Sequence, residues 1–391
     1  MDPDLSALDA SLSAADLDGY LLDDDATLSN QRYLSGFDAP DPFVTLYSDG
    51  MVAVLTTTLE FSRAKSQSRA DVVRRLSDYD YHEMADEHGP AEARSRTIAT
   101  FLEEFDVGAV ACNNRFPLFV ADGLRNHGVT VQPDTDEVIE DVRAIKTPEE
   151  ISFIREAQRA TEAAMRAAEG MLEAASVDST GTLRLDGEPV TSERVKVGIE
   201  RELLDRGYAL DETIVASGTN SAAPHDRGSG PIDAGEPVVI DIFPRSKTTH
   251  YHADLTRTFV KGTPDSAIRE FYELTQEAKA AALDAVEPGV SGRSVHDAVC
   301  DVYEDAGYET LRTDESTDTG FIHGTGHGVG LDIHESPRLS LGGEELEVGN
   351  VVTIEPGLYD PDVGGVRIED LIVLTEEGYE NLTEYPESLD V

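Results

Sequence analysis

Four carboxylates stand in apolar, strand-like runs of this chain. Asp241 interrupts VVIDIF (238–243), Asp254 lies near the start of ADLTRTFV (253–260), Glu355 ends VVTIE (351–355), and Glu369 follows VRI (366–368). A carboxylate buried without a partner is costly. For one such acid an ion pair is answer enough, with Arg257, Arg245 or Lys247 as partner. Four acids repel one another wherever the fold gathers them, so cations must be supplied at the same place. Two divalent metal ions meet that need. The spacing of 13 between Asp241 and Asp254 suits a hairpin. Arg367 and Glu369, two apart, share one face of a strand.

Between the second and third acids lies FIHGTGHGVGLDIHESP (321–337). It holds three of the ten histidines, His323, His327 and His334, and four glycines within seven residues, Gly324, Gly326, Gly328 and Gly330. That much glycine disfavours a helix, so His323 and His327, four apart, do not read as a helical zinc motif. Glycine lets backbone come close to a bound group, and imidazole is a common metal ligand. One histidine in such a turn reads as a surface residue; three of them with four placed acids read as a site. Asp241, Asp254, Glu355 and Glu369 with His327 make an oxygen-rich set with one imidazole, suited to Mn, Co, Fe or Zn rather than to a thiolate-seeking metal.

The charge excludes two classes of partner. Lys plus Arg is 31 against 78 Asp plus Glu, a net charge of −47 spread along the whole chain. Nucleic acid and anionic membrane both need a basic surface, so neither is expected as a partner. Self-repulsion of this size is a device of halophiles, and we read it as adaptation to a salt-rich cytoplasm that screens it. Cys112 and Cys300 form no disulfide framework and no cysteine metal site; each sits in an apolar or amphipathic run and reads as a core thiol. MDPDLSALDA has no apolar core of a signal peptide, and no run of ~18 apolar residues is present, so the expected compartment is the cytoplasm.

Two domains are expected, 1–145 and 146–391. In the first, residues 4–17 carry leucines at helical spacing, followed by a strand at 19–22. Asp49-Gly50 between β-rich runs is a hairpin signal. A helix at 91–105, a strand at 108–112, a helix at 117–126 and a strand at 129–132 complete an α/β layer with no catalytic cluster, which shapes a wall of the site or a subunit contact. The second begins at Thr147-Pro148-Glu149-Glu150, where Thr147 caps, Pro148 opens the helix and Glu150 completes a capping box. Residues 176–191 break the helical pattern around Asp186-Gly187, predicting a short hairpin or surface insertion. Helices are predicted at 192–205, 265–286 and 292–306.

Asp241, Asp254, His327, Glu355 and Glu369, in that order, resemble the ligand set of the pita-bread metallopeptidases, which include methionine aminopeptidase, Xaa-Pro aminopeptidase and Xaa-Pro dipeptidase (prolidase). The strings HGTGHGVGLDIHE, EPGLY and GGVRIED carry the resemblance over most of 145–385. The segment Arg32-Tyr33-Leu34-Ser35-Gly36-Phe37 resembles the creatinase/prolidase N-terminal domain, which methionine aminopeptidases usually lack. The resemblance implies an α+β fold: a C-terminal pita-bread (creatinase/aminopeptidase-like) domain behind an N-terminal α/β creatinase/prolidase-type domain.

It further implies a homodimer that hydrolyses Xaa-Pro bonds of peptides, as dipeptidase or as aminopeptidase, with water activated by two divalent metal ions per chain (Mn, Co, Zn or Fe, with Mn favoured). Glu355 would move the proton as well as bind metal. His225, in APHDRG, and His334 would face the substrate, and His323 would support the metal centre. Arg367 would hold one of the carboxylate ligands from behind. Arg338 stands where several prolidase-like members hold a substrate carboxylate, although on so acidic a chain it reads equally as a surface ion pair. The chain departs from the pattern in the 176–191 insertion and in a longer 241–254 connection carrying His250 and His252; His252 shares strand parity with Asp254 and could approach the site, but reads rather as part of a solvent-facing rim. Two rival readings are a creatinase-like or phosphoester hydrolase of the same fold and a non-catalytic pita-bread binding module. Creatinase has the fold without the metal site, and binding modules lose ligands; here all five positions are filled.

Overall fold

Asp49 and Gly50 both take positive φ, 49° and 74°, the two-residue geometry whose twist matches paired strands. In the computed structural model, which describes residues 3–391, they join strands Phe43–Ser48 and Met51–Thr56 in the register Val44↔Leu55 to Ser48↔Met51. Chain contacts divide the protein into two compact units, Met1–Arg143 and Ala144–Val391.

The first unit is a six-stranded mixed sheet. Its order is Val72–Arg75, Met51–Thr56, Phe43–Ser48, Gly19–Asp24, Ala109–Cys112 and Thr130–Pro133. Helix Pro90–Glu104 buries Ile98, Phe101 and Leu102 against Leu21, Leu46 and Val110 of the sheet. The first helix, Ser6–Ala14, is shorter than its leucine pattern predicts, because Asp16 turns the chain with φ 56°. Four further helices, Ser29–Ser35, Phe61–Gln67, Tyr81–His88 and Val138–Ala144, span seven or eight residues each. That is about two turns, too few to display a helical period.

In the second unit the predicted capping box is formed: Glu150 N–H donates to Thr147 Oγ1 and Thr147 N–H to Glu150 Oε2, opening helix Pro148–Glu173. Helices Ser192–Asp205, Ser266–Ala285 and Gly292–Asp305 follow within a residue of their predicted limits. Residues 176–191 are more than a surface hairpin. Three short antiparallel strands form there, the last two joined by a turn on Asp186 and Gly187, and Leu183 and Val190 are fully buried in a core cluster with helices Pro148–Glu173 and Ser192–Asp205. Apolar alternation there is too short to announce burial.

Two antiparallel sheets carry the site. One has strands Thr213–Ser217, Val238–Ile242 and Leu255–Phe259 in sequence order. The other has the order Glu335–Leu339, Gly326–Gly328, Val351–Ile354, Asp370–Thr375 and Gly378–Asn381. A separate pair, Gly357–Asp360 with Gly364–Arg367, lies in the chain between the latter sheet's strands. Cys112 and Cys300 are free and buried. No helix among the described residues is long and apolar enough to cross a membrane.

Candidate metal centre

Only Asp241 of the four acids lies within a strand. Asp254 precedes Leu255–Phe259, Glu355 follows Val351–Ile354, and Glu369 falls in the break between Gly364–Arg367 and Asp370–Thr375. Arg367 and Glu369 nevertheless face the same way, both lining one cavity while Ile368 between them is buried in the core. Carboxylates at strand ends point past the sheet edge while the last backbone groups still pair. Glu369 N–H donates to Thr256 O at 3.1 Å and Glu355 N–H to Thr325 O at 2.8 Å.

These ends converge on one cavity of about 640 Å³. Its lining includes Asp241, Asp254, His327, Glu355 and Glu369 together with His225, His323, His334, Arg338 and Arg367. Asp254, His327 and Glu369 each offer an atom within 4.8 Å of the others. His327 Nε2 stands 3.7 Å from Asp254 Oδ2 and 3.4 Å from Glu355 Oε1. Its Nδ1 lies 3.1 Å from Gly328 O. A carbonyl only accepts, so Nδ1 carries the proton and Nε2 keeps its lone pair toward the acids, the tautomer a metal ligand needs.

Protein groups satisfy one side of the acids. Arg367 Nη2 donates to Asp241 Oδ2 at 2.7 Å, and Thr256 Oγ1 to Glu369 Oε2 at 2.8 Å. The other side is bare: Asp241 Oδ1, Asp254 Oδ1 and Glu369 Oε1 are buried without a hydrogen-bond partner among the described residues. Burial, then the neighbouring carboxylates, raises the pKa of Asp254 and Glu369 well above the usual range. Burial raises Glu355 as well, with Arg367 opposing. Buried oxygen atoms with no donor are costly, and divalent cations would satisfy them; the residues fit a metal centre.

Behind the acids runs a hydrogen-bond chain. Arg367 Nη1 donates to Tyr359 Oη at 2.9 Å, and His323 Nε2 lies 2.9 Å from Tyr359 Oη. His323 Nδ1 is 2.7 Å from Gly324 O, so it holds the proton and Tyr359 donates to Nε2. Burial holds His323 neutral, with a pKa of about 3. Tyr359 ends the string GLY in EPGLY, yet no spacing rule marks it. Thr256, Thr325 and Thr353, whose Oγ1 accepts the His327 N–H at 3.1 Å, are equally silent, since threonine is ordinary in strands.

The cavity's other walls bear the remaining groups. His225 sits on the turn after Gly218–Ala222, and the loop is locked where a Cβ at Gly228 would lie 1.8 Å from Val215 O. The His334 ring packs edge-on to His327 at 4.3 Å. Glu212, Arg227 and Phe243 line the cavity too, with Arg227 paired to Glu212 and stacked on Phe243. Arg338 is exposed and forms no ion pair among the described residues. His252 does not form a solvent-facing rim: it is only partly exposed, lies off the cavity lining, and burial lowers its pKa to about 4. Arg257, Arg245 and Lys247 do not pair with the acids. Arg257 meets Asp370, and Arg245 meets His250.

The model described as metallopeptidase family M24 matches residues 152–376, and that of the creatinase/prolidase N-terminal domain matches residues 5–145. The chain is 39% identical over 251 residues to a Xaa-Pro dipeptidase of Pyrococcus furiosus, covering 63% of this chain and 65% of that protein, just under two thirds of its length. The crystal structure of the prolidase from Pyrococcus horikoshii OT3 superposes with a TM-score of 0.79 at 28% identity, over 98% of this chain and 99% of that one. A Xaa-Pro dipeptidase from Bacillus anthracis gives a TM-score of 0.81 at 26% identity, over 99% of both chains.

Proposed function

Because this chain belongs to metallopeptidase family M24, we propose that it hydrolyses Xaa-Pro peptide bonds with two divalent metal ions, and that dipeptides are its preferred substrates. Its fold is the family's, a creatinase/prolidase-type N-terminal domain and a pita-bread C-terminal domain. The dipeptidase names of its relatives support the substrate class. The observation that carries the preference is Arg338, an exposed guanidinium on the cavity without a carboxylate partner among the described residues.

Asp241, Asp254, His327, Glu355 and Glu369 would hold the metals, for which manganese is the favoured choice. Bound there, they would lower the pKa of water toward neutrality and polarise the scissile carbonyl. Glu355, whose carboxyl is raised by burial, moves the proton between water and the leaving nitrogen. His225 and His334 orient the peptide and stabilise the oxyanion. Arg367 holds Asp241 in place from behind. Arg338 pairs with the carboxylate that follows the proline ring of a dipeptide. The assembly is a homodimer in a salt-rich cytoplasm.

The test is hydrolysis of an Xaa-Pro dipeptide and an Xaa-Pro tripeptide, each with added Mn, Co or Zn. Dipeptide cleavage in excess of tripeptide cleavage is expected. Hydrolysis of neither, or elemental analysis of reloaded protein finding only traces of metal, would overturn the reading. Light scattering at assay concentration tests the dimer, and an active monomer would remove it.

A further inference from the structure

The segment that closes the histidine loop is built around a buried ion pair whose lysine lies far from the metal ligands in sequence. Lys146 Nζ lies 2.8 Å from Glu335 Oε2, and the two side chains are 1% and 6% exposed. Both ends are anchored. Lys146 N–H donates to Gly349 O at 2.9 Å, and Asn350 Nδ2 donates to Ala144 O at 3.0 Å. Glu335 Oε1 accepts the N–H of Asp332 at 2.9 Å.

The carboxylate fills the inside of the turn 330–335. Gly330 N–H donates to Asp332 O at 3.0 Å, and a Cβ at Gly330 would lie 2.4 Å from Glu335 Oε2. From outside, His252 N–H donates to Gly330 O at 2.8 Å. Glu335 is also the first residue of strand Glu335–Leu339. His334, its immediate neighbour, is exposed in the bend before the strand and lines the cavity, whereas Glu335 is buried. Glu335 goes inward to the lysine while His334 goes outward to the cavity.

We propose that the Lys146–Glu335 pair is the positioning device for His334, so that Lys146 governs substrate handling without touching substrate. This rests on the reading that His334 faces the substrate. A buried pair adds little to stability against an apolar substitute, while loss of one partner strands a buried charge. Its specific contribution here is the direction in which His334 leaves the turn. A misplacement of about 1 Å costs on the order of 100-fold in rate.

The test is a cycle on the metal-loaded enzyme with Lys146→Met/Glu335→Gln, His334→Ala and the triple variant. The paired substitution keeps shape and leaves no lone buried charge, whereas Lys146→Met alone strands Glu335 and serves as the folding control. The paired variant is expected to lose on the order of 100-fold in kcat/KM, with Mn²⁺ affinity by calorimetry unchanged. Added to His334→Ala it should cost no more than about twofold. Multiplicative losses would overturn the proposal alone, as would a parallel loss of Mn²⁺ affinity or full activity of the paired variant. Wild-type kcat/KM in His334→Ala would instead remove the substrate-facing reading of His334, and this proposal with it.

Discussion

Arg338 stands directly across from His327 in the antiparallel pair formed by Gly326–Gly328 and Glu335–Leu339. Directly opposed residues project to the same face, so the pairing brings the guanidinium to the metal-ligand side of the sheet. The register shift beside it, between His327 and Gly328, is what places Arg338 rather than Ser336 opposite the histidine. A free carboxylate after proline would gain a charge-assisted hydrogen bond of about 1.5–3 kcal/mol there. Arg338→Met should lower kcat/KM for Xaa-Pro roughly 10- to 150-fold and leave Xaa-Pro-amide nearly unchanged. Equal losses on the two substrates would show that Arg338 does not read the carboxylate.

Asp254→Asn should abolish hydrolysis and lower Mn²⁺ affinity by more than about 100-fold, the upper range for residues that only support ligands. In the metal-free protein the same change should raise the melting temperature. Asp254 is buried among Glu369, Asp241 and Glu355 with one oxygen bare, and a neutral amide ends that repulsion. A destabilised metal-free variant would mean that Asp254 has a structural partner.

His296 supplies a pH prediction from a group that is not itself a candidate metal ligand. It is 2% exposed on helix Gly292–Asp305, its Nδ1 lies 3.0 Å from Thr325 Oγ1, and its Nε2 lies 3.5 Å from Cys300 Sγ. Burial lowers its pKa from 6.5 to about 4. The unfolded chain therefore binds the proton first, and the stability that His296 contributes above pH 6.5 is lost as pH falls toward 4. His296→Phe should flatten the fall in unfolding free energy across that window by on the order of 3 kcal/mol. A slope identical to wild type would place the titration elsewhere.

A net charge of −47 should make stability depend on salt, since screening acts over ~3 Å at 1 M and ~30 Å at 0.01 M. The melting temperature should rise steeply from millimolar to molar KCl. An unchanged value would remove the salt-adaptation reading.

Elements with long, capped or strongly patterned signals are legible in the chain before any fold is known. The box at Thr147–Glu150, the Asp49–Gly50 turn and the helices after Thr191, Asp265 and Ser291 depend on neighbours in sequence, whose physics is local. The five ligand-type residues stand out there too, because four acids in apolar runs repel wherever the fold gathers them unless cations join them. The remaining relationships arise only when distant segments pack. Asp241 meets Arg367 and not Arg257, Arg338 faces His327 across a register shift, and Lys146 reaches Glu335. Each of these depends on which strand ends come together and in what register, a balance set by burial of the whole core and not written in the spacing of any one segment.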